Sequence, residues 1–170
     1  KAKAGGGVVL DANTGEVVAL ASFPDFNPNQ PIDAQKPDHG NRMSGLVFEL
    51  GSVVKAVTFA MALDAGVCNL QSSYDARYPL IVGRARISDY HAQRRVLTVP
   101  EIFMYSSNIG TAKMALDVGL EGHQAFLRKV GFMDRLRTEL PEAARPLLPH
   151  RWSKISTVTA AFGHGIAVQP

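Results

Sequence analysis

Ser52 and Lys55 stand three positions apart in "FELGSVVKAVTFAMALDAG", residues 48 to 66. Around them the segment Val53 to Leu63 is apolar nearly all round, the pattern of a helix inside a core. A lysine in the first turn of such a helix needs an explanation. Residues i and i+3 share a helix face, so Lys55 can curl back toward Ser52 at the helix start. An ammonium buried there without partners is costly, and the site must either hydrogen-bond the charge or strip it. Stripping it is chemically useful. Bringing a lysine from about 10.4 to near 7 takes roughly 4–5 kcal/mol, which desolvation and a helix N-terminus can supply together. A neutral amine in reach of a hydroxyl is a general base, and the hydroxyl becomes a nucleophile. The backbone N–H of Ser52 is placed to serve as half of an oxyanion hole. Taken alone, the motif also has a plain reading, in which Ser52 caps the helix and Lys55 snorkels from its end.

The second candidate is "YSSNIG", where Ser106, Ser107 and Asn108 interrupt the apolar helical stretch Ile102 to Leu116. Serine and asparagine break helices well, and these three can be no more than a break between two. The functional reading puts a second hydroxyl and an amide into the cleft that holds Ser52 and Lys55. Ser106 would then relay a proton to or from Lys55, and Asn108 would hold a substrate amide. S-x-x-K followed about fifty residues later by S-x-N is the order found in penicillin-binding proteins and serine β-lactamases.

Other chemistry is poorly supported. Cys68 is the single cysteine, so no internal disulfide forms, and its place after the apolar helix fits a small buried hydrophobe. The five histidines show no H-E-x-x-H or Cys/His spacing, so neither a metal site nor a cofactor is expected. Gly5 to Gly7 lack the G-K-[ST] of a phosphate loop and read as the end of a linker over residues 1–7.

These side chains must be positioned by 170 residues, 46% hydrophobic and 19% charged, which fits one globular domain with a core. The net charge is only +3. Arg84, Arg86, Arg94, Arg95, Arg128, Lys129, Arg135 and Arg137 are scattered without an aromatic ladder, a solvated surface rather than a nucleic-acid site. No apolar run approaches the ~18 residues of a membrane span, and no signal peptide is visible. The chain is thus either soluble or a piece of something whose anchor lies elsewhere. Residues 8–22 form two short apolar runs around Asp11–Gly15, a hairpin with a five-residue turn. Residues 24–45 carry four prolines and read as a loop or a partly ordered segment. The nucleophile helix region spans 46–66 and is closed by Gly66. Residues 67–96 are irregular, with short strands near "PLIVG" and "ARI". Thr98 with Glu101 makes a capping box, Pro100 suits a first turn, and residues 98–118 are helices around the S-x-N turn. A further helix runs from Glu121 to Val130, and a last one from about Ser153 to Phe162, stopping at "GHG".

Beyond the two motifs, the sequence resembles the class B penicillin-binding proteins, most of all the septal, division-specific peptidoglycan transpeptidases. "GGGVVLDANTGEVVALASFPDFNPN" is similar to the family's opening hairpin, and "NRMSGLVFELGSVVKAVTFAMALDAG" to its nucleophile region. "ISDYH", "LTVPEIFMYSSNIGTAKMAL", "LLPHRWSKIS" and "AFGHGIAVQP" continue the match in family order. The resemblance implies an α/β (α+β) penicillin-binding/serine β-lactamase-like transpeptidase fold, here mostly helical with an N-terminal β-hairpin. It implies D,D-transpeptidase chemistry, with Ser52 as nucleophile, Lys55 as base, Ser106 as proton relay and Asn108 as substrate ligand. The partners it implies are a peptidoglycan stem peptide ending in D-Ala-D-Ala, β-lactam antibiotics and other division proteins, on the periplasmic side of the bacterial inner membrane.

Two departures matter. "FELGS" has Leu50 where the family usually shows proline. The family's third motif, K-T-G or K-S-G, is absent from residues 1–170. The expectation is therefore an incomplete transpeptidase domain, lacking the C-terminal strands and the anchor, inactive by itself and either prone to self-associate through its hairpin or poorly ordered over residues 1–45. A serine β-lactamase, a β-lactam sensor domain and a non-catalytic interaction module of the same fold are the rival readings.

Overall fold

The apolar runs flanking Asp11–Gly15 pair as antiparallel strands β1 (Gly5–Leu10) and β2 (Val17–Phe23) in the computed structural model, which describes residues 2–138 and 140–170. Asp11 builds the turn: its carboxylate accepts from the N–H groups of Asn13 and Thr14 at 2.8 and 2.9 Å. The register slips between Val9 and Leu10, a bulge beside that turn. Gly5–Gly7 do not end a linker; they lie opposite Phe23, Ser22 and Ala21 in the ladder. Of the three, only Gly6 is crowded: a Cβ there would come within 2.5 Å of the Met43 sulfur. The proline-rich segment that follows folds into two single-turn 3-10 helices, Pro31–Gln35 and Pro37–His39. Further along, Arg42 N–H donates to Ser22 Oγ at 3.1 Å, and Asn41 Nδ2 donates to Glu142 Oε1 at 2.9 Å.

The chain gathers into two compact units. One holds the residues up to Phe48 with Asp134–Leu147 and Val168–Pro170; the other holds Glu49–Met133 and Leu148–Ala167. The second contains every residue singled out for chemistry.

In that unit a 3-10 turn, Gly51–Val54, runs directly into helix α1 (Lys55–Asp64). The sequence reads as apolar all round, yet only one face is covered. Val54, Thr58, Phe59, Met61 and Ala62 are buried, while Val53 is 74% exposed. Met61, two turns further on, is fully buried. A 3-10 turn advances about 120° per residue against 100° in an α-helix, so Val53 falls out of phase with the turns below it.

Four short strands follow. β3 (Ser73–Asp75) pairs with β6 (Val96–Thr98), and β4 (Leu80–Val82) forms a tight hairpin with β5 (Ala85–Ile87). The β4/β5 strands lie where "PLIVG" and "ARI" predict them; the β3/β6 pair has no counterpart in the sequence reading. Helix α2 (Val99–Met104) opens on the expected capping box, with Glu101 N–H donating to Thr98 Oγ1 and Thr98 N–H to Glu101 Oε2 at 2.9 Å. Helix α3 (Asn108–Lys129) is broken at Gly119, whose φ of 84° and ψ of 167° no helix accommodates. Helix α4 (Lys154–Ala160) starts at a Ser153 cap and ends in a left-handed Gly163.

The core of this unit gathers Phe59, Leu97, Ile102, Ile109 and Met114 between α1, α2 and α3, with Cys68 buried among them. Val158 and Phe162 of the α4 end extend it against Ala112. His123 is fully buried, its ring set edge-on to Trp152 at 5.8 Å, and burial lowers its pKa to about 4. It is a neutral core ring. Among the described residues no helix is long and apolar enough to cross a membrane.

Candidate active site

Ser52 lies on the 3-10 turn, exposed, one residue after Gly51 at a φ of 59°. Its turn is fastened from behind by the segment after α4. Gly51 N–H donates to the Gly163 carbonyl at 3.1 Å, and a Cβ at Gly163 would fall on the Gly51 carbonyl oxygen. Glu49 completes the fastening: its carboxylate accepts from Gly165 N–H at 2.8 Å and lies 3.1 Å from His164 Nδ1. Ser52 is not a cap. The residue before the 3-10 turn is Leu50 and the residue before α1 is Val54, and neither makes a side-chain capping bond.

Lys55 is the first residue of α1 and only 2% exposed. Its Nζ donates to the Ser106 carbonyl at 2.5 Å and to Ser106 Oγ at 2.8 Å. Burial lowers its pKa from 10.5 to about 8, against the opposing pull of the Asp89 charge. The snorkelling reading therefore fails on geometry, because the ammonium end is directed into the protein and not out to water.

Ser106 is where α2 stops. It takes a left-handed φ of 53°, unusual for a residue with a side chain. That turn brings both its carbonyl and its hydroxyl to Lys55. Ser107 then caps α3, its Oγ accepting from Gly110 N–H at 3.0 Å and donating to Asp89 Oδ2 at 2.8 Å. Asp89 Oδ1 accepts from Ile109 N–H at 2.9 Å, so one carboxylate holds the start of α3 at two points. A negative group there is also favoured by the helix dipole. Asn108 Nδ2 donates to the Ser88 carbonyl at 3.0 Å, which leaves the amide oxygen outside that bond.

Lys55 and Ser106 thus meet directly across 51 positions of sequence, with Asn108 two residues on and Ser52 one helical turn back. Among the described residues Lys55 donates to Ser106 and not to Ser52. The residues the motif search missed are Asp89, Ser88 and Glu49. Asp89 and Ser88 lie in "ISDYH", and Glu49 precedes Ser52 by three. Each acts through backbone or hydroxyl groups distant in sequence, and no local spacing marks that. Among the described residues no group of three His, Cys, Asp or Glu side chains gathers to hold a metal ion.

A buried lysine hydrogen-bonded to the serine of an S-x-N turn, one helical turn from an exposed serine, is the arrangement of serine acyl-transfer enzymes. Residues 5–170 match the penicillin binding protein transpeptidase domain family, and the chain belongs to that family. It is 40% identical over 164 residues to the probable peptidoglycan D,D-transpeptidase FtsI of Caulobacter vibrioides, covering 96% of this chain and 28% of that protein. The probable peptidoglycan D,D-transpeptidase PenA of Neisseria gonorrhoeae is 36% identical over 168 residues, 98% of this chain and 29% of the relative. Among solved structures, the transpeptidase domain of Burkholderia pseudomallei penicillin-binding protein 3 superimposes with a TM-score of 0.83 at 29% identity, over 99% of this chain and 47% of that one. The chain spans less than a third of the length of these two curated relatives.

Proposed function

We propose that this chain carries the acylation machinery of a peptidoglycan D,D-transpeptidase. The observation that carries the reading is Lys55, buried, with a pKa lowered to about 8 and its Nζ 2.8 Å from Ser106 Oγ. Its neutral form takes the Ser52 proton as the Ser52 oxygen attacks the carbonyl carbon of the D-Ala-D-Ala bond in a stem peptide. Negative charge gathers on the former carbonyl oxygen. The Ser52 N–H, in the first turn of a helical stretch and without an intrahelical acceptor, faces that charge. When the C–N bond breaks, the leaving D-Ala nitrogen takes a proton from Ser106, which is refilled from Lys55. The acyl group stays on Ser52 as an ester until the amine of a second stem attacks it; Lys55 takes the amine's proton and hands it to Ser52 Oγ as the ester C–O bond breaks. Asn108, its amide nitrogen already bound to Ser88, has its oxygen left to accept a substrate N–H. A β-lactam acylates Ser52 in the same way, but its leaving nitrogen stays tethered.

K-T-G and K-S-G are absent from residues 1–170. In this reading a cation for the substrate carboxylate and the second oxyanion donor come from outside them, and the chain alone has no useful transpeptidase activity. Likeness to FtsI and PenA supports a role in cell-wall cross-linking at division, on the periplasmic face of the inner membrane, in contact with other division proteins. The test is covalent labelling of the intact parent protein with a fluorescent penicillin, followed by mass spectrometry. Label is expected at Ser52 alone and lost in Ser52→Ala. Label that persists at one site in the alanine variant would assign the nucleophile elsewhere. Slow release of the acyl group separates a transpeptidase from a β-lactamase.

A further inference from the structure

The peptide between Gly51 and Ser52 carries the N–H that faces the developing oxyanion, and the Gly51 carbonyl is its opposite edge. Of the Gly51 backbone atoms, that oxygen comes nearest to where a Gly163 Cβ would stand, nearer than its own carbon, so the C=O is directed at Gly163. In a trans peptide the C=O and N–H point in opposite directions. The Ser52 N–H is thereby turned away from Gly163. Nothing in Gly51 itself fixes this plane. Its φ is 59°, and without a Cβ its ψ rotates at little cost.

The plane is held from outside, by the segment after α4. Gly51 N–H donates to the Gly163 carbonyl at 3.1 Å, a single bond about which the peptide can pivot. Glu49 takes the next two residues with one carboxylate: Oε1 accepts from Gly165 N–H at 2.8 Å, and Oε2 lies 3.1 Å from His164 Nδ1. The Gly165 N–H, and after it His164, hold the Glu49 carboxyl below its ordinary pKa. An ionised carboxylate only accepts, so Nδ1 carries the ring proton. The segment is itself anchored. Gly163 and His164 N–H donate to the Ala160 and Thr159 carbonyls, each at 3.0 Å, and the His164 ring stands edge-on to buried Phe162 at 5.6 Å. Thr58 Oγ1 of α1 donates to the Ala161 carbonyl at 2.8 Å, which ties the end of α4 to the nucleophile helix.

Both members of the Glu49–His164 pair are half-exposed, so the pair adds little to global stability. Its effect is local. Two bonds from one carboxylate fix the register of residues 49–51 against 163–165.

We propose that Glu49, with His164, is a positioning residue for the oxyanion donor: it keeps the Gly51–Ser52 peptide from turning over and so keeps the Ser52 N–H aimed at the substrate carbonyl oxygen. This rests on the transpeptidase reading of Ser52 and Lys55.

The experiment uses the intact parent protein and separates binding from chemistry. Penicillin kinetics give a noncovalent dissociation constant and an acylation rate constant. An aryl boronic acid, which adds to Ser52 as a tetrahedral anion, reads the oxyanion site. A donor aimed correctly part of the time costs less than the ~10²–10³ of one removed. Glu49→Ala should therefore lower the acylation rate constant by about tenfold and weaken the boronic acid by a similar factor. The noncovalent constant should stay within about twofold, and Tm should fall by less than about 3 °C. Glu49→Gln keeps an acceptor for Gly165 and should recover most of the rate. His164→Ala should cost about threefold alone and nothing further in the Glu49→Ala background, because the two act as one. An acylation rate constant within about twofold of wild type in Glu49→Ala overturns the proposal. So does a loss spread equally over the noncovalent constant, the rate and Tm, which a merely structural residue would give. Penicillin label at Ser52 with no effect of Glu49→Ala sinks the positioning role alone; no label at Ser52 sinks both.

Discussion

At Lys55 a charge is held by neutral groups: the Ser106 carbonyl and hydroxyl, with Asp89 acting from further away. With a pKa of about 8 against the usual 10.5, the amine is mainly protonated at pH 7, and its neutral fraction grows through pH 8. Acylation by penicillin should rise with pH along that curve and level off above it. A flat profile between pH 6 and 9 would remove Lys55 as the base. Stability follows the same sign. The folded state releases the Lys55 proton more easily than the unfolded one, so the burial penalty is full below about pH 8 and lifts as pH climbs toward 10.5. Lys55→Arg keeps the charge but cannot give up its proton, and acylation should fall by roughly 10²–10⁴. A loss under about tenfold would contradict the assignment. Asp89→Asn tests the neighbour. Removing a charge that raises the Lys55 pKa should move the acylation limb to lower pH, and an unmoved limb would show that Asp89 acts only as a helix anchor.

Among the elements, the turn after α4 governs Ser52 although it lies more than a hundred positions away. Gly163 has a φ of 80° and leaves no room for a Cβ against Gly51. Gly163→Ala should destabilise the fold by roughly 2–4 kcal/mol and slow acylation along with it, read from Tm and from the penicillin acylation rate. Unchanged values of both would show that the two segments part easily. Much at this scale was legible because its chemistry is local. The Asp11 turn, the Thr98–Glu101 box, the Ser153 cap and the break near Gly119 each declare themselves within a few residues. Gly5–Gly7 look like linker in the sequence because glycine has little strand preference, and only the strand opposite decides their fate. The β3/β6 pair joins three residues to three across some twenty, too short to show a period. Asp89 escaped notice because a carboxylate bonding a helix start from another segment leaves no spacing.

For the molecule as a whole, the exposed apolar surface of the hairpin is the main liability. Val8, Val9, Leu10, Val18 and Phe23 are all exposed, and among the described residues β1 and β2 pair only with each other. A two-stranded sheet with open edges recruits further strands. The chain alone should therefore self-associate, with light scattering giving masses above that of one copy. A monodisperse monomer whose β1 and β2 amides both resist hydrogen exchange would contradict this. The division into two units has a temporal side as well. The unit containing the hairpin is assembled from the beginning, middle and end of the sequence, while the other is almost continuous within it. Contacts that close long loops form late. During refolding, pulsed exchange should protect amides of α1 and α3 before those of the unit closed by the Phe48–Val168 bridge. On the ribosome, then, β1 and β2 emerge well before residues 134–147 and 168–170 that complete their unit.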